Sequence, residues 1–594
     1  MSRFFYNSIP IEMAITSSRI GIALLLLLCS IQQLNAQNAL VIPPVLNGPQ
    51  FNLTVQSGTT AFYPNTTTPT YGVNGNLLAP TLIMHTGDQV NISLQNTLNV
   101  STTMHWHGLH VSPMNDGGPH SIIQPGATWN PQFQVMNAAG TFWYHPHGAG
   151  QTDPQVSKGL AGMIIVHDAA ELALPIPHTY GVDDVPVIIQ SKAFDVLQQI
   201  AIATEEDTAL MVNGTIHPYY NAPSQVLRLR LLNGSSMRVY NIGFSNNKVF
   251  YQIATDAGLR DSTLQLTRLR LAPGERSEVL IDLSGMNGQS LQLIAYNAEL
   301  PNGFYGAAQV GYGTDTIMDY PHNFLNGQNF ELLNFQIGAA TSGAVYTIPT
   351  ALVPLTPFTT TGVTNYRSMV LDTLRTLAAI VPTASMGPFG INQHTYDMDT
   401  INFVTTKNAK EIWTIYNKTL VAHPFHIHGM HFFLLERSGQ AVPKQEQGKK
   451  DVVLVYPNDS VKFITQWLDF ADDEMPYMYH CHMLHHEDDG MMGQFIVQNA
   501  IGIQQLPVSS TTLNFTLSPN PASNKITLSS KSSVNEMLEL KLFDWMGQLK
   551  WSKLVQANQL PLTIPVENQA NGIYLLQVNN QGATQLLKFT IQNK

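Results

Sequence analysis

Apolar and polar residues alternate in short runs along most of the 594-residue chain, and turn-forming Gly, Pro, Asn and Asp close the runs. A period of two is the pattern of a strand with one buried face, and frequent turn residues keep the strands short. Three runs look alike: "GDQVNISLQNTL" (87–98), "SQVLRLRLLNGSS" (224–236) and "AKEIWTIYNKT" (409–419). Each alternates and ends in Asn plus a turn. They stand roughly 140–190 residues apart, which predicts three copies of one β-sandwich unit. "LAPGERSEVLIDLSG" (271–285) and "VYPNDSVKFITQW" (455–467) are a second matching pair, each a Pro-containing turn feeding a strand. The pattern predicts an all-β chain with units at 38–168, 169–345 and 346–500.

The pattern changes at both ends. Arg19 precedes "IGIALLLLLCS", and "LNA" at 34–36 offers a small residue before Gln37, so residues 1–36 read as a signal peptide. Its apolar run of about eleven residues is too short to span a bilayer, and no later segment is apolar for long enough. Leu28 stands before Cys29 where a lipoprotein signal carries a small residue, so no lipid anchor is expected. Past residue 500, Ser, Thr, Asn and Gln dominate and histidine disappears. There "LSPNPASNKITL" (517–528), "LKLFDWMGQL" (540–549) and "NGIYLLQV" (571–578) predict a small separate β-domain over 513–594.

Composition narrows the function. Charged residues make up only 12% of the chain, the net charge is −11, and no basic cluster occurs, which argues against nucleic acid as a partner. Loss of the signal removes Cys29 and leaves Cys481 alone, so no internal disulfide can form. Exported proteins usually spend cysteines on disulfides. A single retained thiol is a candidate metal ligand or nucleophile.

Cys481 lies in "PYMYHCHMLHHEDDGMM" (476–492), between two histidines. Four segments carry His-x-His: "HWHGLH" (105–110), "YHPHG" (144–148), "HPFHIHG" (423–429) and "HCH" (480–482). In a strand, positions i and i+2 share a face, so each pair offers two imidazoles to one side. Eight imidazoles exceed what one zinc or copper ion uses, which predicts a site shared by several ions. If His480 and His482 face one way, Cys481 faces the other and binds a different metal. Cys481 with two histidines and a weak axial Met makes a blue-copper site, and His423, His486 and Met491 stand at suitable places. His485 is an alternative to His486. His110, His120 and His431 are expected near the pairs or at the surface, and Met475, Met478 and Met483 in packing.

These motifs resemble those of the multicopper oxidases, in particular the bacterial three-domain laccases and their relatives among spore-coat laccases, bilirubin oxidases and cuprous oxidases. The resemblance runs from about 40 to 500 and includes "VNGT" (212–215), "LRLLNGS" (229–235) and "LAPGERSEVLID" (271–282). It implies three cupredoxin-like Greek-key β-sandwich domains and four copper ions. The type 1 copper would take His423, Cys481, His486 and Met491. The type 2 copper would take His105 and His426, and the type 3 pair His107, His145, His147, His428, His480 and His482. The implied reaction is one-electron oxidation of phenols or aromatic amines coupled to reduction of O₂ to water, with Asp116 and Glu487 as proton-handling acids. A cuprous or manganous oxidase is the alternative, with Asp451 serving a metal substrate or orienting a phenol; residues 370–400 hold only Met386 and Met398, not a Met-rich insertion. A non-catalytic copper-binding protein and a copper nitrite reductase fit less well, since intact ligands suit a catalyst and a nitrite reductase needs fewer units. The 513–594 module resembles the C-terminal sorting domain of type nine secretion cargo. It implies a partner in the secretion machinery and a secreted or cell-surface protein, expected as a monomer.

Overall fold

The computed structural model describes residues 37–202, 206–309, 323–374, 387–499, 515–530, 537–545, 548–580 and 583–593. The signal peptide, Cys29 and Met386 lie outside them. The chain divides into two compact units, Met1–Asn499 and Ala500–Lys594. None of the described helices is long and apolar enough to cross a membrane.

The larger unit contains three sandwiches, each made of two sheets around its own apolar core. The three look-alike runs occupy the same place in each. Gln89–Asn96, Val226–Asn233 and Lys410–Asn417 are strands whose parallel neighbours are Gln50–Thr60, Asp184–Phe194 and Asn365–Thr373. The matching pair of Pro-turn strands, Arg276–Asp282 and Ser460–Gln466, runs antiparallel to the second and third of these. Alternation explains the burial: Val90, Ile92 and Leu94 point inward while their neighbours face out. Asn38–Ala39 adds a parallel strand to the second sandwich at Pro218 and Tyr219.

The terminal asparagines explain why each run ends where it does. Asn96, Asn233 and Asn417 are all buried. Each accepts an N–H bond from the residue two positions on: Leu98 at 3.0 Å, Ser235 at 3.0 Å and Thr419 at 2.9 Å. Each amide group then donates twice to carbonyls. Asn96 donates to Val100 and Ile123, Asn233 to Arg238 and Leu271, and Asn417 to Val421 and Val455. Buried polar groups need such partners, and here one side chain closes the turn and ties it to a second loop.

The smaller unit is a sandwich of a three-stranded and a four-stranded sheet, closed on Ile526, Leu540, Leu576 and Phe589.

Candidate metal centre

The four His-x-His motifs sit on strands His105–His107, Gly140–His145, His423–Ile427 and Tyr477–Cys481, or just beyond them. The first two pair antiparallel, with His145 opposite His105; the last two pair with His426 opposite His480. The residues between the histidines explain their orientation. Trp106 and Tyr144 pack into the first core, and Phe425, Ile427, Tyr479 and Cys481 into the third. Strand alternation then turns all eight histidines away from those cores toward one another, where all are buried.

The imidazoles form two triads and a pair. His107, His145 and His482 converge, as do His147, His428 and His480. His105 and His426 remain, and the Nε2 of each has no hydrogen-bond partner. Burial drives His105, His107, His145, His426, His428 and His482 well below the usual histidine range, and His147 to about 4. A neutral ring has one N–H. In most of these rings it points outward: His105 Nδ1 donates to the Asp116 carbonyl, His145 to Pro146, His426 to Asp451, His480 to Cys481, and His428 to the Asp116 carboxylate. His107 is reversed, with Nε2 toward Asp451 at 3.2 Å. Bare lone pairs therefore face inward. His107 Nδ1 lies 3.4 Å from His145 Nε2 and 3.1 Å from His482 Nε2. His480 Nε2 lies 3.1 Å from His147 Nε2 and 3.3 Å from His428 Nε2. Facing lone pairs repel, and a metal cation between them turns repulsion into ligation, so the donor set fits bound copper.

The second group lies inside the third sandwich. Cys481 Sγ is 3.5 Å from His423 Nδ1 and 3.7 Å from His486 Nδ1. Burial pushes the Cys481 thiol far up and His423 down to about 3, so a thiolate here requires a cation beside it. The outer Nε2 of His423 donates to Thr419 Oγ1 at 2.9 Å, and that of His486 to Tyr305 Oη at 3.1 Å. Met491 is buried in the same core, and its carbonyl accepts the Cys481 N–H at 3.0 Å. His485 turns away to Asp489.

Two segments, 54–171 and 366–500, match the multicopper oxidase family, and 516–592 match the secretion system C-terminal sorting domain. The multicopper oxidase mco of Staphylococcus haemolyticus is 34% identical over 78% of this chain and 93% of its own length. The chain belongs to the multicopper oxidase family. The cell division protein FtsP of Sodalis glossinidius is 32% identical over 77% of this chain and 92% of its own. A solved laccase-like multicopper oxidase from Ochrobactrum superposes with a TM-score of 0.66 at 30% identity, covering 77% of this chain and all of the other. The cupredoxin-like sandwiches expected from the sequence are those of this family, and the sorting domain marks the chain for export to the cell surface or beyond.

Three carboxylates surround the histidines. Asp116 ends the short helix Pro113–Asp116. Gly117 follows with φ 80°, and a Cβ there would lie 1.8 Å from the Met104 carbonyl oxygen, so only glycine lets the turn bring Asp116 against His105 and His428. Burial raises the Asp116 carboxyl well above its usual range. Glu487, on the helix Leu484–Asp488, reaches both flanks. Its oxygens lie 3.0 Å from His480 Nδ1 and 3.4 Å from His147 Nδ1, and it accepts a hydrogen bond from Thr152 Oγ1. Burial would raise its pKa, but His147 and His480 pull it below the carboxylate range.

The third carboxylate, Asp451, corrects the sequence reading. It does not face a substrate; it is buried behind the cluster, holding His107 through its side chain and His426 through its carbonyl. Arg276, from the sandwich without His-x-His, grips it with two bonds of 2.6 Å. Nothing in the sequence joined residues 175 positions apart. The other histidines expected outside the pairs lie outside the cluster. His110 lies against Asp469, His120 bonds to Gln494, and His431 stacks on Phe358. Met478 and Met483 are packed in the interior.

Proposed function

We propose that the chain is a four-copper oxidase that couples one-electron oxidation of phenols or aromatic amines to reduction of O₂ to water. The observation that carries this is the set of inward-facing imidazole lone pairs beside a separate Cys–His–His group. Type 1 copper would be held by His423, Cys481 and His486 with Met491 as axial ligand, type 2 by His105 and His426, and the type 3 pair by the two triads. Bound copper would supply four stored electrons for O₂. The chain supplies the rest. His480 and His482 flank Cys481, so two peptide bonds join the Cys–His–His group to both triads. Asp116, whose carboxyl is kept protonated by burial, is placed to hold a proton for the reduction, and Glu487, kept ionised by its histidines, is placed to accept and pass one on, one on each side of the histidine cluster. Burial of all ligands excludes water from the nitrogens.

Cys481→Ser tests the reading. It should abolish the blue colour and substrate oxidation while roughly three coppers remain, since the cluster histidines are untouched. Retained colour and activity would refute it. Oxidation of cuprous or manganous ion is the second reading, separated by O₂ uptake with a phenol, with bilirubin and with each metal ion. The curated relatives named as cell division proteins keep a third in view: copper binding without turnover. Full copper content with no O₂ uptake on any reductant would select it.

A further inference from the structure

His486, in the Cys–His–His group, is buried, and among the described residues its ring meets Phe389, His423 and Tyr305. The ring is 1% exposed. Phe389 meets it edge-on at 4.8 Å, and the ring of His423 lies 5.2 Å away. Its Nε2 meets the phenol of Tyr305, itself buried. Tyr305 is held by its backbone: its carbonyl accepts the Val239 N–H at 3.0 Å. The next residue, Gly306, has φ 101°, and a Cβ there would press on Asn297. Tyr305 also lines a cavity of about 30 Å³, together with Asp153, Lys192, Asp207, Met237, Arg238 and Gly306. That volume holds one or two waters. A phenol ring does not fit.

We propose that Tyr305 is the residue through which reductants deliver electrons to His486, and that no reductant touches His486 itself. This rests on the copper-oxidase reading and adds how that site meets its substrate. With Nδ1 turned to Cys481, the His486 N–H lies on Nε2 and donates to the Tyr305 oxygen. A donor outside would give up one electron to a copper ion held by His423, Cys481 and His486, and Tyr305 would be unchanged, serving as a hydrogen-bonded bridge. The substrate class is then set by reduction potential more than by shape: phenols, aromatic amines and inorganic one-electron donors would all reach the same bridge, without a pocket that grips a phenol.

Two variants test this in the full, copper-loaded chain. Tyr305→Phe keeps the ring and removes only the acceptor. Without it the imidazole gives less electron density to Cu(II), so the equilibrium for reducing the blue centre should shift severalfold toward Cu(I). A tenfold shift would read as about 59 mV in a redox titration of the blue band. Tyr305→Ala opens the Nε2 edge, so KM for a phenol should fall about tenfold while KM for ferrocyanide, which needs no contact, stays put. An unchanged potential in Tyr305→Phe overturns the proposal, as does a Tyr305→Ala variant whose phenol and ferrocyanide KM values move together or not at all. If Tyr305→Ala does not fold, the Tyr305→Phe potential alone decides. Wild-type chain without a blue band or O₂ uptake would sink the copper-oxidase reading itself; insensitive Tyr305 variants of an active enzyme would sink only this inference.

Discussion

Arg276→Met should separate fold stability from copper binding. Arg276 is fully buried, and its guanidinium donates to Asp451 Oδ1 and Oδ2 at 2.6 Å each, to Asp256 O at 2.7 Å, to Gly274 O at 3.0 Å and to Thr141 O at 3.2 Å. Burial alone would lower its pKa; Asp451 more than offsets that, and the net shift is upward. Methionine leaves the Asp451 carboxylate buried without its partner, which costs about 3–5 kcal/mol. Three carbonyls also lose a donor, at about 1 kcal/mol each. Because domains are stable by only about 5–15 kcal/mol, denaturant unfolding of the metal-free chain should show a large loss. Asp451 would relieve part of it by taking a proton. A neutral Asp451 is a poorer acceptor for His107 Nε2–H, so affinity at that triad should fall about 10–100-fold in a chelator competition. The blue centre, on other residues, should keep its colour. Adding Asp451→Asn removes the unpaired charge, so the double variant should regain stability without regaining copper. Wild-type unfolding and full copper in Arg276→Met would refute the argument, as would loss of the blue band before the cluster.

Met491→Leu keeps the volume and removes a weak donor to Cu(II), so the blue-band potential should rise by about 60 mV, a tenfold change in the one-electron equilibrium; a lower or unchanged potential with copper intact would make Met491 a packing residue. Lys192 is buried and donates to the Ser157 carbonyl, and burial lowers its pKa from 10.5 to about 8. Between those values the unfolded chain holds more protons than the folded one, so stability should rise with pH from about 8 to about 10.5, and Lys192→Met should be more stable at pH 7 by about 1–3 kcal/mol and lose that rise. A chain ending near residue 505 keeps every proposed ligand and should bind copper and turn over as the full chain does, while failing to reach the cell surface; copper loss in it would show that the smaller unit contributes to the centre.

Local pattern made the histidine cluster legible. An i, i+2 pair of histidines needs only strand alternation to face one way, and the residue between needs only to be apolar, so the sequence carried both the clustering of eight histidines and the separation of Cys481 from them. The same period exposed the three Asn-ended strands. The neighbours of the ligands were not legible, because they arrive from other sandwiches. Arg276 and Asp451 meet across two units, Tyr305 reaches His486 from a turn in the middle unit, and Thr152 reaches Glu487 across 335 positions. Asp451 was misread for this reason: a lone Asp before an apolar strand has no period to say which side it serves.

The buried asparagines give the histidines a common frame. His105 stands nine positions past Asn96 and His426 nine past Asn417; His107 and His428 stand eleven past. In the middle unit the same offsets from Asn233 fall on Ile242 and Phe244, both buried in its core. The cluster thus straddles corresponding faces of two like-built units, as a shared site does at the interface of a homodimer. Corresponding histidines nevertheless have different neighbours. His428 leans on Asp116 through Nδ1, while its counterpart His107 leans on Asp451 through Nε2 and shows the cluster its other nitrogen. Identical subunits encoded once could not diverge in this way. Within one polypeptide, matched histidines can take unmatched carboxylates, and the middle unit, which has no His-x-His, holds one of them with Arg276.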